Sequence, residues 1–247
     1  MANGSGASPA RRASDRGRYG RLNRERVLAA ALELVDREGL SALSMRRLGA
    51  ELGVEAMALY RYAASKDALL DGLVEALYLE LEERLDTGED PHALADAPAW
   101  RNGLHRIART TYDVCLAHPR AVPLLATRML AVPLARRPSA VLLDHERVLA
   151  LLKEAGFDQA TASTVFRAFT AWLLGYVSVE LQPMVDNPEE PEPAFRLGLH
   201  RLPAQELPTL RATAAALAEP GGPEALAAGL DGLLDRFVPG QDAGAQG

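Results

Sequence analysis

The twenty residues from Leu43 to Tyr62, L-S-M-R-R-L-G-A-E-L-G-V-E-A-M-A-L-Y-R-Y, admit few folds. Apolar residues at Leu43, Leu48, Leu52, Val54, Leu59 and Tyr60 suit two short helices broken at Gly53 better than any strand pattern. Ser44 is placed to cap a first helix running to about Leu52, because its hydroxyl can accept from a free amide of the opening turn. Gly53 supplies the backbone freedom for a tight turn, Val54 plugs the angle, and a second helix follows from about Glu55 to Tyr62. The expected unit is a helix-turn-helix. Its second helix leaves Glu55, Ala56, Met57, Ala58 and Arg61 away from the core, where a recognition helix meets base edges and small side chains allow close approach to a groove. The same spacing also suits an ordinary helical hairpin.

Charge distribution bears on the choice. The whole chain of 247 residues carries a net charge of -6, which argues against nucleic acid until it is divided. Residues 1–66 carry a net +5 and residues 67–247 a net -11. A basic front end on an acidic body is what a DNA-binding head with a regulatory body requires.

The rest of the chain reads as helices separated by Pro and Gly, giving an all-α fold. Residues 1–21 are rich in Gly, Ser, Ala and Arg and are expected to form a disordered basic arm. Its Arg11, Arg12, Arg16, Arg18 and Arg21 suit phosphates or a minor groove, and a solubilising tail is the other reading. Residues 22–67 would form the head. Asn23 caps its first helix, which ends at Gly39 and turns Val27, Leu28, Ala31, Leu32 and Val35 inward. Residues 68–240 would form a helical regulatory and dimerisation domain, and 241–247 a disordered tail. Ser65 caps a fourth helix to about Arg84, broken by Gly88 and Pro91. Further helices are expected from Pro98 to His118, from Ala121 to Met129, from Ser139 to Ala155, and, capped by Asp158, from Gln159 to Leu181. Pro183 to Pro193 reads as a mobile loop, Thr209 to Ala218 as a weak helix, and Pro223 as the start of a last helix with Leu226, Leu230, Leu233, Leu234 and Phe237 in one stripe. The Gln159–Leu181 segment is apolar nearly all round. One side would face its own domain and the other a second copy.

Several classes are excluded. The single cysteine, Cys115, rules out an internal disulfide framework and reads as a core residue. No apolar run approaches a membrane span and no signal-peptide core follows the Arg-rich start, so a cytoplasmic protein is expected. The five histidines are scattered without metal-ligand spacing, no cofactor motif is found, and the signatures of hydrolases, P-loops, dinucleotide folds and zinc proteases are missing. An enzyme is not expected.

Together with the flanking L-N-R-E, A-L-E-L-V-D-R-E-G-L and S-K-D-A-L-L-D segments, Leu22 to Leu73 resembles the DNA-binding domain of the TetR family of bacterial transcriptional regulators, in particular its tetracycline-repressor branch. The resemblance implies a homodimer on an inverted-repeat operator, released by a small-molecule effector. A binder of the same fold gated by a protein partner, or lacking a ligand, is the alternative. It also implies individual roles: Arg46 reaching a guanine, Glu55, Ala56 and Met57 opening the recognition helix, Arg61 on a base or phosphate, Tyr60 on a phosphate, and Lys66 and Ser44 clamping the backbone. Arg61 and Tyr62 stand where the tetracycline repressor has a Trp-His pair, which counts Tyr62 with Arg61 among the expected DNA-binding residues and makes a different operator expected. Glu82, Ile107 and Leu125 fall near its drug and magnesium ligands, which makes tetracycline with magnesium a poor fit. The last two long helices resemble the pair that forms the family's four-helix dimer interface.

For the effector, Phe169, Trp172, Leu173 and Tyr176 share one helical face with Glu180. Trp100, Thr111 and Tyr112 are placed to face them, with His105, Arg109 and Arg128 near the rim. A bulky apolar or aromatic metabolite fits such a set. Aromatic residues at this spacing also serve as plain core, and a carboxylate such as Glu180 on an apolar face needs a partner, an internal arginine foremost.

Overall fold

The computed structural model describes residues 22–87, 92–186, 190–192, 195 and 197–237. Residues 1–21, the break at Gly88 and Pro91, parts of the expected 183–193 loop and the tail from 241 lie outside the described residues. All regular elements among the described residues are helical: α1 (Arg24–Glu38), α2 (Met45–Leu52), α3 (Ala56–Leu59), α4 (Lys66–Asp86), α5 (Ala99–Ala117), α6 (Val122–Ala131), α7 (Ser139–Glu154), α8 (Gln159–Asp186), α9 (Pro208–Ala212), α10 (Ala214–Ala218) and α11 (Gly222–Leu234).

The caps read from sequence are formed. Asn23 Oδ1 accepts from the Arg26 amide at 2.8 Å, Ser44 Oγ from Arg47 at 3.1 Å, Ser65 Oγ from Ala68 at 3.0 Å, and Asp158 Oδ1 from Ala160 at 2.8 Å. Each satisfies an amide that has no partner within its own helix.

The turn between α2 and α3 is fixed by two glycines. Gly53 is left-handed (φ 66°), the Val54 amide reaches back to the Gly49 carbonyl at 2.9 Å, and the Gly53 amide reaches Ala50 at 3.3 Å. This closing pair of bonds is a Schellman motif, which only a residue free of Cβ adopts cheaply. A Cβ on Gly49 would lie 2.8 Å from the Val54 carbonyl oxygen, so the absent side chain sets how closely the turn folds onto α2. Leu34, Leu43, Leu48 and Leu59 are fully buried inside the resulting three-helix head.

Helix α4 packs on α1 and also on α5, α6 and α7, and α11 lies against α5 and α8. Several boundaries differ from the sequence reading. Helix α3 is only four residues long, because at Leu59 the pattern shifts and Tyr62 donates to its carbonyl three residues back, at 2.8 Å. Helix α8 continues through Pro183 to Asp186 instead of ending at Leu181. The amide that Pro183 lacks would have met the carbonyl of Val179, a residue 78% exposed, and losing one bond on a solvated face costs less than ending the helix. The expected weak helix at 209–218 is two short ones divided at Thr213, neither of which buries a residue. The last helix begins at Gly222, one residue before Pro223.

Replacing Gly49 by Ala would favour an exposed helix by up to about 1 kcal/mol on intrinsic propensity. Here the clash with Val54 reverses the sign, and Gly49→Ala is expected to lower stability by about 1–3 kcal/mol in urea unfolding. A stabilised variant would mean that the turn is not held by this contact.

Candidate functional site

Two sets of polar side chains stand out against the fold. The first lies on the head. Ser44, Arg46, Glu55, Tyr60, Arg61 and Lys66 are solvent-exposed, and Met57 projects from α3 with 76% of its surface free. Ala56 and Ala58 are half-buried, and Ala56 packs on the core. Arg46, Arg61 and Lys66 make no hydrogen bond or ion pair among the described residues. Their neighbours do: Arg24 pairs with Glu75 at 2.5 Å, Arg37 with Glu51 at 3.0 Å and Arg47 with Glu38 at 2.5 Å. Charge alone did not distinguish Arg46 from Arg47, but geometry does. Tyr62 points the other way from the exposed set, its hydroxyl donating to the Leu22 carbonyl at 2.8 Å and bracing the entry to α1.

The second set lies in the body, and it is not the one expected from the aromatic spacing. Those residues are distributed over separate places. Trp100 packs edge-on against Phe157 with ring centroids 5.3 Å apart, and Phe169 is buried core. Thr111 donates to the Ile107 carbonyl of its own helix at 2.8 Å. Arg128 is drawn to α4, where it meets Asp71 at 2.6 Å and Asp67 at 3.1 Å. His105 meets Asp231 of α11 at 2.9 Å, and Arg109 sits beside a tight α5–α11 contact formed with Pro223 and Leu226. Tyr112, Trp172 and Tyr176 do cluster, with Tyr176 6.3 Å from Tyr112 and 5.6 Å from Trp172. Their polar ends are occupied by the chain itself: Tyr176 donates to the Gly222 carbonyl at 2.7 Å, and Glu180 accepts from the Gly222 amide at 2.9 Å. The partner that Glu180 needed is therefore a helix start, not an arginine. Trp172, Tyr176 and Glu180 line an open surface cleft of about 340 Å³ with Ala171, Gly175 and Val179.

Most of the buried polar atoms that lack a hydrogen-bond partner among the described residues gather elsewhere, around the inner face of α7, with Asp36 Oδ1 on α1 apart from them. Asp144 and His145 are 7% and 6% exposed, and among the described residues Asp144 Oδ1 and both His145 ring nitrogens have no hydrogen-bond partner. Glu82 and Arg147 lie 3.2 Å apart as an ion pair beside them. Phe166 sits edge-on to the His145 ring at 5.1 Å. Burial pushes the Asp144 carboxyl up to about 6, partly offset by Arg147 and reinforced by Glu82, and holds the His145 imidazole down at about 4. Burial likewise raises the Tyr78 hydroxyl and pushes the Cys115 thiol up to about 12, so Cys115 is inert core. Unsatisfied groups this deep are costly and call for a role. Sequence carried a signal for them: Val141, Asp144, His145, Val148 and Leu152 share the inward stripe of α7, and two ionisable residues there interrupt an apolar pattern. Among the described residues no group of three or more His, Cys, Asp and Glu is arranged to hold a metal ion. No described helix is long and apolar enough to cross a membrane.

Residues 27–73 match the model of the bacterial regulatory proteins of the tetR family, and residues 94–235 match the tetracyclin repressor-like C-terminal domain. The chain belongs to the TetR family. An HTH-type transcriptional regulator of Saccharopolyspora erythraea is 33% identical to this TetR-family chain over 159 residues, 64% of this chain and 61% of that protein. The HTH-type transcriptional repressor DrrR1 of Streptomyces coeruleorubidus is 30% identical over 170 residues, 69% of this chain and 58% of that protein. The chain thus spans about three fifths of the length of these two curated relatives. Among solved structures, the TetR family protein ActR of Streptomyces coelicolor in complex with actinorhodin superposes with a TM-score of 0.64 at 25% identity, covering 88% of this chain and 97% of that one. The family is one of regulators, and its members named here are not enzymes.

Because the folded chain holds the Asp144 proton more tightly than the unfolded chain, ionising it costs stability above about pH 6, and that cost fades as pH falls toward the ordinary carboxylate range. Asp144→Asn is therefore expected to raise stability at about pH 8 by up to about 3 kcal/mol, with the gap from wild type narrowing toward about pH 4. Denaturant unfolding at both ends of that range measures it. Equal gaps at both ends would show that the fold does not raise the Asp144 carboxyl above its ordinary value.

Proposed function

We propose that this TetR-family chain is a transcriptional repressor that binds an inverted-repeat DNA operator as a homodimer and is released by a small molecule. The observation that carries the reading is the selective freedom of Arg46, Arg61 and Lys66 on a head whose other arginines Arg24, Arg37 and Arg47 are engaged. Cations that hold no ion pair in the fold break none when they turn toward phosphates and guanine edges. Arg46 would read a base from the flank of the motif. Glu55 and Met57 would meet the groove at the start of α3, with Ala56 behind them allowing close approach. Arg61 would reach a base or phosphate, and Tyr60, Lys66 and Ser44 would hold the backbone. Tyr62 would brace α1 and not touch DNA.

One head offers few base contacts, so two acting together are needed for a specific site. The outer side of α8, with Ala171, Gly175 and Val179 exposed beside Trp172 and Tyr176, is an apolar face suited to a second copy. The names of DrrR1 as a repressor and of ActR as bound to actinorhodin support repression and an effector of aromatic character. For this chain the effector would sit over α7, with donors and acceptors that complement Asp144, His145 and the Glu82–Arg147 pair on an otherwise aromatic or apolar frame. Differential affinity for the two head spacings would then release the DNA.

Selection of bound duplexes from a random pool, followed by titration of the selected site, tests the reading. Arg46→Ala is expected to lose about 1–3 kcal/mol of affinity and to relax preference at one base pair, while Arg47→Ala, whose guanidinium is held by Glu38, loses much less. Equal losses for the two, or no selected sequence at all, would count against it.

A further inference from the structure

One titratable side chain outside both sets is held between three elements. His118 follows the last residue of α5, just before the 3-10 turn Pro119–Ala121 that leads into α6. Its Nδ1 lies 2.7 Å from Asp36 Oδ2 on α1, and its Nε2 lies 2.9 Å from Glu80 Oε2 on α4. A neutral imidazole has one N–H and one lone pair, so it serves one carboxylate and turns a lone pair on the other. Only the imidazolium donates to both. Among the described residues Asp36 has no other hydrogen-bond partner, and its Oδ1 is buried and unsatisfied; Glu80 is shared with Arg84. The charged groups acting on the ring come from α1 and α4, namely Asp36 and Glu80.

The connection continues into the DNA-reading unit. Arg120, two residues on, donates to the carbonyl of Arg37 at the end of α1. Arg37 and Glu38 are in turn paired with Glu51 and Arg47 of α2. A short polar chain thus runs from the α5–α6 turn of the body, through the last turn of α1, to the helix that carries Arg46.

We propose that His118, as an imidazolium, is the positioning residue that locks the head onto the body, so that the set of the DNA-reading helices follows the protonation of this one ring. The hydrogen bond to Asp36, reinforced by Glu80 and opposed by burial, holds the His118 pKa above its ordinary value. The lock is therefore complete below about pH 6.5 and is lost as pH rises through the raised value. Its consequence for DNA rests on the repressor reading above; the lock itself does not.

The test uses the full-length chain without DNA. The His118 ring is titrated by NMR, and amide hydrogen exchange of the α1 residues 24–38 is followed from about pH 6 to 9, corrected for the chemical exchange step. The ring is expected to titrate above about 6.5, and α1 exchange to quicken about tenfold over the same interval, the loss of one charge-assisted bond pair. His118→Arg keeps permanent donors and is expected to stay protected throughout, whereas His118→Gln is expected to exchange at the fast rate throughout. A ring titrating at or below about 6.5, or a His118→Gln profile that follows wild type, overturns the lock. The wild-type titration alone decides the matter if a variant does not fold. Binding to a selected duplex should track the α1 profile; a lock that behaves as expected in a chain that selects no DNA would sink the repressor reading and leave His118 in its role.

Discussion

Helix α4 is the element on which the arrangement depends. It buries Leu69, Gly72, Leu73, Val74, Leu77, Tyr78, Leu81 and Leu85, which lie around its circumference and not along one stripe. Leu28 of α1 lies against Gly72 on one side, while α5, α6 and α7 cover the others. A helix buried on several sides has to be enclosed, and here the enclosing partners come from both halves of the chain. The small basic head and the large acidic body therefore share a wall. A shift of α4 against the body is carried to α1, and through the ion pairs at the end of α1 to α2, because packed interiors transmit displacement and do not absorb it.

Polar contacts refine what that wall allows. Arg128 of α6 meets Asp67 and Asp71 at the start of α4, and His118 meets Glu80 near its other end. Both come from the α5–α6 region, so the body grips α4 at two heights. The buried Asp144, His145 and Glu82–Arg147 set lies on α7 and α4, facing the same helix from a third direction. A ligand that gave those groups their missing partners would act on the helix that also positions the head. Under the proposed function, this would be the physical link between an effector in the body and the spacing of two DNA-reading units.

The aromatic face of α8 shows how one sequence pattern can serve two structural ends. Phe169 and Leu173 point to the core, whereas Trp172 and Tyr176 lie at the edge, packed against α11 and open to the outer cleft. Helical spacing placed them together but could not say which neighbour each would meet. The arrival of α11 decides it: Gly229 leaves room for the Trp172 ring, and the start of α11 at Gly222 takes both Tyr176 and Glu180. Tyr176 and Glu180, which read as pocket lining from one helix alone, also seat the start of another helix while bordering the outer cleft.

The sequence by itself determined the local events. Caps at Asn23, Ser44, Ser65 and Asp158, the glycine stop at Gly53 and the all-helical character follow from rules that act within a few residues, and the motifs from Leu22 to Leu73 carried the resemblance to the family. Only the tertiary structure decided which charges remain available. Arg46 and Arg47 are alike in sequence, and it is the approach of Glu38 from α1 that occupies one and leaves the other free. In the same way Asp144, His145 and His118 acquire their meaning from helices distant in the chain, because burial and ion pairing depend on neighbours that local spacing does not encode.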